Sequence, residues 1–224
     1  MQTSSFETEI KVIVVGNGKI GKTSLTTRFV EGTFNGQYQK TIGVDYLEKR
    51  MYVPSIHEEV TFYLYDTAGQ EEYNAMTRSF YRGAGAAMIA FSTVDRDSFL
   101  AVPSWISKVR EECGRIPIIL VQTKIDLLEQ AQVSESESES LAIDCHLPLF
   151  RVCAKDDTNV GPAFEQICID YVRRRRLLGG QIECPVRSID DLVAPRQSPP
   201  SGVVPIAHPQ RSQSTSLFSN CTLM

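Results

Sequence analysis

The chain has 224 residues, a formal charge of −4, 42% apolar and 22% charged residues. Those values suit one globular domain with an appended segment and exclude wholesale disorder or two full domains. No run approaches the roughly 18 apolar residues that span a bilayer, and the start, MQTSSFETEI, lacks the basic-then-apolar order of a signal peptide, so a chain made and kept in the cytosol is expected. The six cysteines (Cys113, Cys145, Cys153, Cys168, Cys184 and Cys221) contain no C-x-x-C pair, which argues against a zinc knuckle or a disulfide framework.

In chain order, apolar runs of strand length alternate with helical patterns: 10–15 (IKVIVV), 60–66 (VTFYLYD), 86–92 (AAMIAFS), 116–122 (IPIILVQ) and 149–153 (LFRVC). Near-continuous apolar strands fit a mostly parallel sheet with helices on both faces. Amphipathic stretches over 97–113 and 160–176 supply two of those helices, the first with Pro103 near its start. The expected fold is a doubly wound α/β sandwich with its ligand site at the carboxyl ends of the strands.

Charge and composition then divide the chain. After position 172 it holds seven arginines and three acids, so residues 1–172 carry −8, an acidic body unsuited to nucleic acid. Six of the eleven prolines lie after position 180, among serine and glutamine. The reading is therefore a flexible N-terminus over 1–8, a folded domain over 9–176 and a disordered tail over 177–224. Arg173 to Arg176 either end a helix where cations favour the dipole or meet anionic lipid.

Four motifs follow strand ends. Gly16-Asn17-Gly18-Lys19-Ile20-Gly21-Lys22-Thr23 satisfies G-x-x-x-x-G-K-[ST]: glycines let backbone N–H groups curl round a phosphate, Lys22 brings a cation and Thr23 offers a hydroxyl to Mg²⁺. The same residues fit G-x-G-x-x-G, but a dinucleotide site needs a nearby second strand with a terminal acid and gives no reason for Lys22-Thr23. Asp66-Thr67-Ala68-Gly69-Gln70 ends the strand 60–66; Asp66 can hold the Mg²⁺ water shell, the Gly69 N–H can meet a γ-phosphate and Gln70 stands where an attacking water is oriented. Thr123-Lys124-Ile125-Asp126 places a carboxylate that accepts from the N1–H and N2–H₂ of guanine, donors adenine does not pair in this way. The fourth motif is Cys153-Ala154-Lys155.

These motifs in this order resemble the Ras superfamily of small GTPases, over about residues 9–176. KTIGVDY (40–46), YDTAGQEEY (65–73) and FYRGA (80–84) resemble Rab signatures, and VVGNG, TIGVDYLE and VQTKIDLL are similar to the Rab subfamily numbered twenty-three. The resemblance implies a slow GTP hydrolase that switches between GTP and GDP, recruits effectors in vesicle trafficking and works as a monomer. Gly16 to Lys22 would cradle the phosphates, with Ser24 near the α-phosphate; Thr23, Thr41 and Asp66 would hold Mg²⁺. Phe34 and Tyr38 would lie beside the nucleotide, with Thr123, Lys124, Asp126, Cys153, Ala154 and Lys155 forming the base site. Lys22, Thr41 and Gln70 would carry hydrolysis, although Rab-directed activating proteins supply a glutamine as well as an arginine in trans. The loops at about 34–45 and 67–80 would be the switches, with Tyr46, Tyr65 and Phe80 read by effectors or else serving as packing. Exchange factor, GDP-dissociation inhibitor and escort protein are implied partners.

Some positions depart from the family. Thr123 stands for asparagine, with shorter reach to brace the phosphate loop and a looser hold on nucleotide expected, though binding survives with T-K-x-D in the Rho family; this and the altered aromatic set Tyr46, Tyr65 and Phe80 keep open a non-hydrolysing interaction module as the alternative. Ser134 with Glu137 fits a capping box, the SESESES run being otherwise a phosphorylation cluster. Cys221-Thr222-Leu223-Met224 is a C-a-a-X pattern favouring a farnesyl anchor on the cytoplasmic face of a membrane, with Cys184 a candidate for palmitoylation.

Overall fold

The computed structural model describes residues 8–37, 41, 44–67 and 80–179. Tyr38, Gly69, Gln70, Cys184, Cys221 and the segment beyond 179 lie outside them. The strands are β1 (Thr8–Val15), β2 (Val44–Val53), β3 (Glu58–Thr67), β4 (Ala86–Ser92), β5 (Ile118–Thr123) and β6 (Leu149–Arg151). The helices are α1 (Lys22–Glu31), α2 (Arg96–Leu100), α3 (Val102–Cys113), α4 (Glu135–Cys145) and α5 (Val160–Leu177). They build one six-stranded sheet of order β2-β3-β1-β4-β5-β6, in which β2 alone runs antiparallel.

β1 reads as a continuous apolar run because both its faces are covered. Ile10, Val12 and Val14 enter one core with Leu25 and Phe29 of α1 and Phe164, Ile167 and Tyr171 of α5. Ile13 and Val15 point the other way, to Phe91 and to Trp105, Ile106 and Val109 of α3. Phe29 stacks on Phe164 at 3.8 Å and meets Phe62 edge-on at 5.4 Å, which fixes α1 against α5 and the sheet. β2 is no apolar run: half-buried and exposed positions largely alternate along VDYLEKRMYV, with Val53 alone buried, and its outward charges suit an edge strand.

The helix expected over 97–113 is two helices. Pro103 has no N–H for the Phe99 carbonyl and its ring crowds that turn, so α2 closes with Ala101 N–H donating to Asp97 O at 3.0 Å and α3 restarts with Pro103 in its first turn. Asp95 caps α2 by accepting from the Ser98 N–H. The capping box at α4 is present in both directions: the Ser134 side chain accepts from the Glu137 N–H, and Glu137 from the Ser134 N–H at 3.0 Å. Ser138 and Ser140 turn their hydroxyls onto helix carbonyls, so the serine run has a structural use. At the other end of the chain, Arg175 donates to Thr8 Oγ1 at 3.3 Å and Arg176 pairs with Glu58 at 2.9 Å, tying α5 to the sheet as a helix end would.

Candidate functional site

All four motifs lie at the carboxyl ends of strands: the phosphate loop after β1, Asp66 at the end of β3, Thr123 at the end of β5 and Cys153 two residues past β6. The sheet reverses its winding beside β1, which is where such folds bind ligands. Gly16 has φ +138°, and a Cβ there would sit 2.2 Å from the Ala90 carbonyl oxygen, so only glycine lets the loop leave the strand. Lys19 (φ 65°) and Gly21 (φ 96°) are left-handed, and the loop curls. Lys22, 5% exposed, spans it by donating to Gly16 O and Asn17 O, both at 2.9 Å. α1 then begins with no side-chain cap and no acid in its first turn, where Ser24 also sits; its leading N–H groups and dipole are left for an anion.

Thr23, Thr41 and Asp66 come together although 43 residues separate the first from the last. Thr23 Oγ1 lies 2.9 Å from Thr41 Oγ1 and donates to Asp66 Oδ2. Two hydroxyls and a buried carboxylate are hard oxygen donors, the set a Mg²⁺ ion shares with phosphate and water, so these residues fit that ion.

At the base end, the short reach expected of Thr123 is corrected. Its buried hydroxyl lies 2.5 Å from Ile20 O and 3.1 Å from Phe91 O, so it braces the phosphate loop through a backbone carbonyl, one proton serving two acceptors. Lys124, left-handed at φ 58°, reinforces it by donating to Lys19 O at 2.8 Å. Asp126 is exposed, its carboxylate open to a ligand, and Phe34 leaves 38% of its surface free in the stretch after α1. Cys153 is buried; burial raises its thiol pKa, with the Asp156 and Asp126 carboxylates adding to the effect, so it stays a protonated packing group. Ala154 and Lys155 follow it at the turn closed by the Cys153–Thr158 bridge.

A glycine-rich cradle under a helix N-terminus, an oxygen cluster beside it and a carboxylate across the sheet edge form a nucleoside-phosphate site. The Ras family model matches residues 11–173. The chain belongs to the Ras family. Among similar proteins is the GTP-binding protein ypt3 of Schizosaccharomyces pombe, 32% identical over 173 residues that cover 77% of this chain and 80% of the yeast protein. The six-stranded α/β sheet is that of a Ras-like domain.

Within this Ras-family domain the aromatic set is not one exposed surface. Tyr65 is wholly buried, crossed edge-on by Tyr46 at 5.4 Å, with the Lys11 ammonium 4.1 Å from its ring centroid. Tyr46 and Phe80 are half-buried, so a partner on this side would touch those two and leave Tyr65 as their support. Burial and neighbouring Glu48 push the Tyr46 phenol well above its ordinary pKa, and it stays neutral.

Two residues outside every motif also belong to the site. Trp105 of α3 donates its Nε1–H to Asn17 Oδ1 at 2.9 Å, pinning the second residue of the phosphate loop. Arg28 of α1 reaches the 153–155 loop. Neither has a local sequence signal: Trp105 reads as one more apolar position of an amphipathic helix, and Arg28 as a solvated cation.

Proposed function

We propose that this Ras-family chain is a Rab-type switch, binding GTP and GDP with Mg²⁺ and hydrolysing GTP slowly. The observation that carries the reading is the cluster of Thr23, Thr41 and Asp66 beside the Lys22-spanned loop. Lys22 and the N–H groups of Gly16 to Thr23 bind and orient the phosphates, and the cation neutralises charge gathering on the oxygen bridging the β- and γ-phosphates. Thr23, Thr41 and Asp66 hold the metal, which when bound supplies the remaining positive charge. Asp126 selects guanine, Ala154 offers its N–H to the base oxygen and Phe34 covers the ring. Gly69 and Gln70 complete the site by motif, Gln70 orienting the attacking water.

Thr41, held to Thr23, gives the γ-phosphate a means of ordering the stretch around it, and loss of that phosphate releases it. Effectors would then read Tyr46 and Phe80. The finer assignment, a trafficking GTPase near the Rab subfamily numbered twenty-three and anchored through a prenylated Cys221, rests on the sequence motifs. No helix among the described residues is long and apolar enough to cross a membrane, so an attached lipid would make the membrane contact. The Thr123 brace weakens one of the two grounds for a non-hydrolysing module, the altered aromatic surface being the other.

The test is single-turnover hydrolysis of bound GTP and ATP by the parent chain, Gln70→Leu and Asp126→Ala. The switch reading expects slow GTP turnover, slowed further by Gln70→Leu, with guanine preference lost in Asp126→Ala. GTP that binds and is never cleaved, even with an activating protein present, would make the chain an interaction module.

A further inference from the structure

Arg28 lies on α1, six residues past the phosphate-binding lysine and 126 residues in sequence from the loop it touches. Its Nε–H donates to Ala154 O at 2.6 Å and an Nη2–H to Lys155 O at 3.0 Å. Its third arm, Nη1, donates to Gly32 O, the residue that ends α1 and opens the 33–37 stretch carrying Phe34. The loop closes on itself through the paired Cys153 and Thr158 backbones at 3.0 and 3.1 Å, and through Cys153 Sγ, which donates to Asp156 Oδ2 at 3.3 Å and accepts from the Asp156 N–H at 3.4 Å. The Ala154 and Lys155 carbonyls that project beyond this bridge take their hydrogen bonds from Arg28.

We propose that Arg28 is a positioning residue for base recognition, a clasp that sets where the Ala154 N–H stands and joins that loop to the root of the 33–37 stretch. The inference rests on the guanine-nucleotide reading above. A guanidinium suits the task because its donors form one rigid planar fork, so three carbonyls from two loops are fixed relative to each other by a single group. A lysine in its place offers one mobile ammonium. The clasp also couples the two loops: a partner that pulls 33–37 away from α1 draws the guanidinium from the Ala154 and Lys155 carbonyls and loosens the base.

The experiment uses the full chain and equilibrium competition against tritium-labelled GDP, with unlabelled GDP and 6-thio-GDP as competitors. The thio analogue keeps the N1–H and N2–H₂ that Asp126 reads and replaces the O6 acceptor by a poorly accepting sulfur. In Arg28→Ala the affinity for GDP is expected to fall about 10-fold, in keeping with the loss of charge-assisted hydrogen bonds, and that for 6-thio-GDP by no more than about threefold. The preference for oxygen at position 6 therefore narrows. Arg28→Lys, which keeps stem and charge without the fork, should narrow it part of the way, and it serves as the test if the alanine variant does not fold. Equal weakening of both nucleotides, or an unchanged ratio in either folded variant, overturns the clasp. A parent chain that binds GDP and ADP alike overturns instead the guanine reading beneath it.

Discussion

The phosphate loop and the base loop both leave the carboxyl ends of strands and are held in opposite ways. Loop 16–23 is gripped mainly by motif side chains: Lys22 spans its carbonyls, Thr123 takes Ile20 O and Lys124 takes Lys19 O. Loop 153–155 has a backbone bridge and the Cys153–Asp156 bonds at its foot, and its Ala154 and Lys155 carbonyls are held from outside, by an arginine on a helix far away in sequence. A loop gripped by its own motif is stiff wherever that motif folds. One gripped by a distant side chain moves when that helix or its neighbours move, which places the adjustable end of the site at the base.

The comparison is broken most directly at the phosphate end. Lys22→Ala removes the span and the cation together, and equilibrium binding of labelled GDP should weaken by about 100-fold or more. At the base end, Asp126→Ala should lower the preference for GTP over ATP by roughly 10- to 100-fold in competition binding, with the phosphate loop intact. Preference surviving that change would relocate base selection. Thr123→Val tests the brace between the two ends: it keeps the shape, deprives the buried Ile20 carbonyl of a donor and should cost about 1–2 kcal/mol in urea unfolding. Trp105→Phe removes the Asn17 bond together with the pyrrole half of a buried indole, for a loss of about 1–2 kcal/mol in the same measurement.

The smallest effect belongs to a region that should not respond to nucleotide at all. The Ser134 bonds and Arg96 hold the Glu137 carboxyl down to about 2, so its folded value lies below its ordinary one. Its stabilising contribution is then complete above about 4.5 and is lost as pH falls from there toward 2. Ser134→Ala removes the hydroxyl bond and keeps the backbone N–H bond, and an NMR titration of Glu137 should show its midpoint rising part of the way toward 4.5. A midpoint that stays near 2 would assign the effect to the Ser134 backbone N–H, 3.0 Å away, and to Arg96, 2.7 Å away.

The same division explains what could be read before the structure. The five apolar runs, the phosphate loop and the α4 capping box are local patterns, and each sets its own backbone. β2 escaped because one of its faces is half-buried and the other exposed, so its apolar residues never form a run. The break at Ala101 follows from Pro103, yet a proline in a first turn and one that starts a new helix look alike until the preceding turn is seen. Thr123 appeared to be a loss because an asparagine's reach was the measure, whereas the Ile20 carbonyl comes close enough for a hydroxyl. Arg28, Trp105 and the burial of Tyr65 are products of tertiary contact, and no spacing along the chain encodes them.

The Trp105 bond has one more consequence. The chain contains a single tryptophan, and its indole N–H rests on Asn17 of the phosphate loop. Indole emission shifts when its hydrogen-bond partner or local field changes, and a nucleotide brings several negative charges to that loop. The protein thus carries an unlabelled optical gauge of its own occupancy, free of background from any other indole in the chain.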